Sequence, residues 1–195
     1  MTAPSVDAAR IPSWCVRIAR ELDTADARAR ALVDGLTAAQ LNWKPGPAVW
    51  SVGQCLEHLC ITNEVYVEPL TKSLGVRPAG SVDEITPGWF GRWFIRTYIE
   101  PATQRKRGPA PRKIVPVATQ LDASILDRFV TSNARVRAVI DRARPHDVNR
   151  VRFENPFFPL IRFTVGTGFQ IIARHNHRHL LQGERVRQRA EFPRA

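Results

Sequence analysis

The sequence predicts an all-α fold: an antiparallel bundle of four long helices, with a long Pro-rich insertion that contains one short helix. Three observations carry this expectation. Four segments repeat apolar residues three and four positions apart, the period of a helix with one buried face. Two junctions carry a Thr-x-x-Gln or Ser-x-x-Gln capping box, which satisfies the free N–H groups of a helix start. Most prolines fall between the periodic segments, and 195 residues suffice for one domain with a substantial core.

The elements follow in order. Residues 1–12 read as a flexible N-terminus and residues 13–190 as the single domain. From Ser13 to Leu36 the stripe is Trp14, Ile18, Leu22, Ala25, Ala29, Leu32, Val33 and Leu36, with Gly35 near the stop. Thr37-Ala-Ala-Gln40 then opens a short turn, and Lys44-Pro-Gly-Pro47 is a loop. Ser51-Val-Gly-Gln54 caps the second helix, with Trp50 placed as a hydrophobic staple. That helix runs to about Leu74, with a kink at Pro69 and an end at Gly75.

Residues 76–118 form the insertion, punctuated by Pro78, Pro87, Pro101, Pro109, Pro111 and Pro116 around one helical island, Trp89 to Glu100. The third helix spans about Thr119 to Arg144, with Leu121, Ile125, Leu126, Phe129, Asn133, Val136 and Ile140 on one side and Pro145 as its stop. Residues 146–159 read as irregular and nothing reads as a strand. The last helix runs from about Ile161 to Gln188, and residues 191–195 form a flexible tail.

The composition excludes collagen, coiled coil and wholesale disorder, and no apolar run is long enough for a membrane span or a signal peptide. Three cysteines, Cys15, Cys55 and Cys60, make no CxxC pair and read as buried thiols of a cytoplasmic protein. The net charge is +11, from 25 Arg and 4 Lys against 18 acidic residues. Either a polyanionic partner or a genome-wide bias toward Arg codons accounts for such a ratio.

Chemistry concentrates in the histidines. On a helix of about 100° per residue, His175, His179 and Gln182 share one face with Ile171, Ile172 and Val186, while His177 points elsewhere. His58 shares a face with Cys55, Ile61, Thr62 and Val65 on the second helix. Three imidazoles aimed at one interior suit a divalent ion such as Zn²⁺, Ni²⁺, Fe²⁺ or Cu²⁺, with positions left for water or substrate. A core hydrogen-bonded His group is the alternative. Gln182 reads as a partner of a ligand or of bound water, and Cys55 as a fourth ligand or a small buried hydrophobe. Asn63 and Tyr66 line the edge of a pocket, and Glu57 lies nearer solvent in a structural role.

Trp50-Ser-Val-Gly-Gln-Cys-Leu-Glu-His58-Leu, followed far downstream by His175-Asn-His-Arg-His179-Leu-Leu-Gln182, resembles the DinB superfamily. Leu36-Thr-Ala-Ala-Gln-Leu-Asn-Trp-Lys-Pro45 is similar to the family's run between its first two helices. The resemblance implies an up-down-down-up four-helix bundle, a homodimer, and a metal on His58, His175 and His179. It also implies a metal-dependent transferase or hydrolase that uses a low-molecular-weight thiol or hydrolyses a small electrophile. The alternative is a non-catalytic, metal-stabilised module that binds nucleic acid or an acidic partner through its basic surface.

Two further signals lie in the insertion. The aromatic island caps one end of the bundle, walls the metal pocket or inserts at a membrane interface. The basic run from Arg105 to Lys113 is a solvated loop or a patch for phosphate or an acidic partner.

Overall fold

The computed structural model describes residues 10–75, 80–100, 111–158 and 160–194. Residues 1–9 of the expected N-terminal tail, Pro78, Pro101, Pro109 and the Arg105–Arg107 part of the basic run lie outside them. The chain is mostly helical: α1 (Ser13–Val33), α2 (Ala38–Asn42), α3 (Val52–Ser73), α4 (Trp89–Phe94), α5 (Ser124–Ala143) and α6 (Val165–Arg187). A π-helical stretch (Ile95–Ile99) continues α4, and a 3-10 turn (Arg112–Ile114) precedes α5. No helix among the described residues is long and apolar enough to cross a membrane.

Local sequence sets the helix ends. Both capping boxes form, Thr37 with Gln40 and Ser51 with Gln54, each side chain pairing with the other's backbone N–H. Gly35 and Gly75 take positive φ (70° and 34°) just beyond α1 and α3, where a side chain would be strained. The expected third helix begins later, at Ser124, because Leu121 is held in place before the helix starts. Its N–H and carbonyl bond Asn42 Oδ1 and Nδ2 at 2.8 and 2.7 Å. The aromatic island is not one regular helix: Glu100 N–H reaches the Ile95 carbonyl, five residues back, which widens its second half into a π turn.

The irregular reading of residues 146–159 is also corrected. Residues 146–164 contain a two-stranded antiparallel hairpin, β1 (Arg152–Glu154) and β2 (Arg162–Thr164), with Phe153 opposite Phe163. Each strand is three residues long with one buried position, too short for alternation to register. The last helix therefore starts at Val165, where the Thr164 hydroxyl accepts the Thr167 N–H. Gly168 lets the hairpin seat on α6, since a Cβ there would lie 2.8 Å from the Phe153 ring.

Each long helix packs chiefly against two others: α3 contacts α5 and α6, and α1 contacts the same two helices. Side-chain pairs give the directions. Trp14 stacks on Phe169 and Arg28 reaches Glu184, so α1 and α6 run parallel. Gly53 abuts Leu121 and Asn63 bonds Ser132, so α3 and α5 run parallel. His58 meets His175 while Leu70 meets Gly168, so α3 and α6 are antiparallel. Asp26 bonds Asn133 while Asp23 bonds Arg137, so α1 and α5 are antiparallel too.

The apolar core is split in two. One cluster centres on Trp14, Ile18, Val136, Ile140 and Phe169, the other on Leu56, Leu59, Ile125, Phe129 and Leu180. Between them lies a buried polar layer to which all four long helices contribute. Asn133 Oδ1 accepts from Asn63 Nδ2 and Asn176 Nδ2, both at 2.9 Å, and its Nδ2 donates to Asp26 Oδ1 at 2.6 Å. Arg137 then pairs with the other Asp26 oxygen at 2.8 Å. Asn133→Ala leaves two buried amides and a carboxylate short of partners. The expected loss is about 3 kcal/mol or more in urea unfolding; a loss below about 1 kcal/mol means the layer is not structural.

Candidate metal centre

Helices α3 and α6 bring three of the five histidines together. His58, His175 and His179 are all buried, and one ring nitrogen of each lies within 4.8 Å of the others. The ring centroids are 4.4–4.9 Å apart. Antiparallel packing explains the meeting: a single position on α3 faces two positions one turn apart on α6. His177 stays outside, exposed on the opposite side, with its Nδ1 accepting from Arg28 at 2.6 Å. His146 is buried just after α5 and does not belong to the cluster.

Hydrogen bonds fix which nitrogens are free. The Ile114 carbonyl lies 2.6 Å from His58 Nδ1 and can only accept, so Nδ1 carries the proton and Nε2 keeps its lone pair. His179 Nδ1 donates to Gln182 Oε1 at 3.0 Å, which likewise leaves its Nε2 bare. His58 Nε2 and His175 Nε2 are 3.2 Å apart. Two nitrogens on a tetrahedral ion with bonds of about 2.0–2.1 Å stand about 3.3 Å apart. His175 Nδ1 is buried without a partner among the described residues. A donor set of neutral imidazoles with converging lone pairs, two of them oriented by acceptors behind, fits a divalent cation.

Burial keeps the rings neutral. Loss of hydration pushes His58 down to about 4, opposed by its bond to Ile114. Burial also holds His175 and His179 well below the ordinary histidine range, reinforced by the neighbouring rings and the positive Arg178. Arg178 is anchored by donating to the Tyr98 carbonyl of the π turn.

The other expected site residues fall in different places. Gln182 contacts His179 directly. Cys55 is fully buried, its thiol pushed up to about 12 by desolvation, and it is not among the converging ligand atoms. Thr62 turns its hydroxyl to the His58 carbonyl at 2.8 Å, a bond within the helix rather than to the ring. Tyr66 lies further along α3, edge-on to Phe153 and Phe157 at the hairpin. Asn63 belongs to the polar layer. Glu57 is not near solvent: it is 5% exposed, and its carboxylate accepts the Ala118 N–H at 3.3 Å. Its role is structural, tying the end of the insertion to α3.

Two contributors were not legible as site residues. Trp50 lies across the cluster, 4.6 Å from the His58 ring and 5.6 Å from the His179 ring, although its sequence position marks only a staple. The Ile114 carbonyl comes from backbone, which no side-chain pattern reveals. The aromatic island packs on both the hairpin and α6: Phe90 and Phe94 lie 5.6 and 5.0 Å from Phe163, and Gly91 abuts Thr167.

A profile of the DinB superfamily matches residues 21–182, and the chain belongs to that superfamily. No curated protein and no solved structure matches it.

The depressed histidines make metal-free stability depend on pH. The unfolded chain binds protons on these rings below about pH 6.5, whereas folded His58 binds one only near 4. Their contribution is therefore complete above about 6.5 and is lost as pH falls toward 4. The free energy of unfolding, measured by denaturation between those values, should fall with falling pH more steeply than one proton's slope, about 1.4 kcal/mol per pH unit. A flat profile contradicts burial of neutral rings.

Proposed function

From its place in the DinB superfamily, we propose that this chain is a metal-dependent enzyme that binds a divalent ion on His58, His175 and His179. The reaction class is transfer of a low-molecular-weight thiol or hydrolysis of a small electrophile. The observation that carries the reading is the convergence of three buried imidazole nitrogens within 4.8 Å. The helix directions given above support an up-down-down-up four-helix bundle as the scaffold. The three free, buried cysteines support a reducing, cytoplasmic setting.

A divalent ion in such a site supplies a Lewis acid that brings a bound water or thiol toward deprotonation at neutral pH. The chain's own residues prepare the place. The Ile114 carbonyl and Gln182 hold His58 and His179 with Nε2 directed inward. Trp50 covers two of the three rings and limits water on that side. Burial pushes the Cys55 thiol up to about 12, which makes it a poor source of thiolate.

Cobalt substitution tests this reading. Co²⁺-loaded protein should show visible d–d bands, and a small thiol such as glutathione should add a near-ultraviolet sulfur-to-cobalt band. Both should vanish in His175→Ala. d–d bands that ignore every thiol offered contradict the thiol branch, and unchanged bands in His175→Ala contradict the ligand set.

A further inference from the structure

We propose that the outer face of the aromatic island docks this protein on the surface of a bilayer rich in anionic lipid. Of eight large apolar side chains left exposed among the described residues, five lie on the island or on the hairpin it packs against. Trp89 is 75% exposed, Trp93 46% and Tyr98 41%, and Phe158 and Leu160 stand out at the hairpin turn. Tryptophan and tyrosine rings usually bury most of their surface against their own chain. Trp14 and Tyr66 do so here, at 0% and 2% exposure.

The backbone turns these rings outward. At about 100° per residue, Trp89, Arg92 and Trp93 share an arc of about 100° on α4, while Gly91 lies nearly opposite and abuts Thr167 of α6. A regular helix would carry Tyr98 about 140° round from Trp93. The wider π turn brings it beside Trp93 instead, edge-on at 5.6 Å. Phe90 stays beneath, stacked between Trp93 and Phe163 at 5.6 Å from each. Charge is laid out on the same face. Residues 85–99 hold no acid, and Arg92 and Arg96 are exposed among the rings. Arg92 donates to the Pro87 carbonyl at 3.0 Å and keeps its full charge toward solvent.

This combination selects a lipid surface. Trp and Tyr settle at the headgroup level of a bilayer, with the ring toward the acyl chains and the N–H or O–H toward water. Arginines interleaved with them reach the phosphates of anionic lipid, and no carboxylate on the face opposes that approach. A ring that stands clear of its own chain enters a fluid interface without a preformed pocket, which a protein partner has to supply. A second copy meeting this face about a two-fold axis would bring these arginines against their own like charges. Single-stranded nucleic acid needs open ring faces, and Trp93 is already stacked on Phe90 with Tyr98 set edge-on beside it. The apolar layer is one side chain deep, so attachment is peripheral and needs both rings and charge.

The test sediments the full chain with vesicles of phosphatidylcholine, alone or mixed with phosphatidylserine. Binding to the mixed vesicles should be about tenfold tighter than to the neutral ones. Trp89→Ser with Trp93→Ser should remove about tenfold of that affinity, and Trp89→Ser alone about threefold. Val16→Ser with Val117→Ser, exposed apolar residues elsewhere, should change nothing. Lipid brominated near the headgroup should quench the tryptophan fluorescence of the bound parent, and quench the double variant far less. Circular dichroism checks that the variants remain folded. Binding that the double variant retains in full, or bound parent without quenching, means adsorption by net charge alone and overturns the proposal. No binding to mixed vesicles, or equal losses in both double variants, also overturns it. So does a homodimer or an oligonucleotide complex that Trp89→Ser with Trp93→Ser abolishes. None of these readouts depends on bound metal.

Discussion

A single buried polar layer sets the register of the helices. Asn133 sits at zero exposure and joins Asp26 of α1, Asn63 of α3 and Asn176 of α6. Apolar surfaces above and below would tolerate sliding by a turn, since Leu, Ile and Phe pack in many ways. The amides do not: a shift of one turn breaks hydrogen bonds that nothing in the core can replace. The layer therefore specifies one arrangement where the apolar clusters alone permit several.

That register also places the histidines. Asn176 follows His175 directly on α6, and Asn63 lies just over one turn beyond His58 on α3. Fixing the two asparagines around Asn133 carries His58 opposite His175 and His179. The cluster occupies the same level as the polar layer, facing α3 where Asn176 faces α5. The rings enter a region already depleted of apolar packing, and acceptors behind two of them settle the tautomer. Burial then suppresses protonation, which would otherwise close the lone pairs to a cation.

Much of this is legible in the sequence for identifiable reasons. Helical periodicity and the two capping boxes depend on local spacing, so α1, α2 and α3 follow closely from residues alone. The inward faces of His58, His175 and His179 follow from the same arithmetic, with His177 on the other side. The hairpin escapes because a three-residue strand has too little pattern. Glu57 escapes because its partner is a backbone N–H 61 residues away. Asn133 within an apolar stripe was a visible signal for the polar layer, since a lone amide among Phe129, Val136 and Ile140 must find partners across the core.

The central claim is that the three-His cluster binds a metal ion. Elemental analysis of tag-free protein, purified without chelator beside its His175→Ala variant, tests it most directly. The account predicts about one equivalent of a divalent transition metal per chain, lost in a variant that remains helical. Stoichiometric metal retained by His175→Ala, or none in the parent after reconstitution with Zn²⁺, Ni²⁺ and Fe²⁺ in turn, would contradict it.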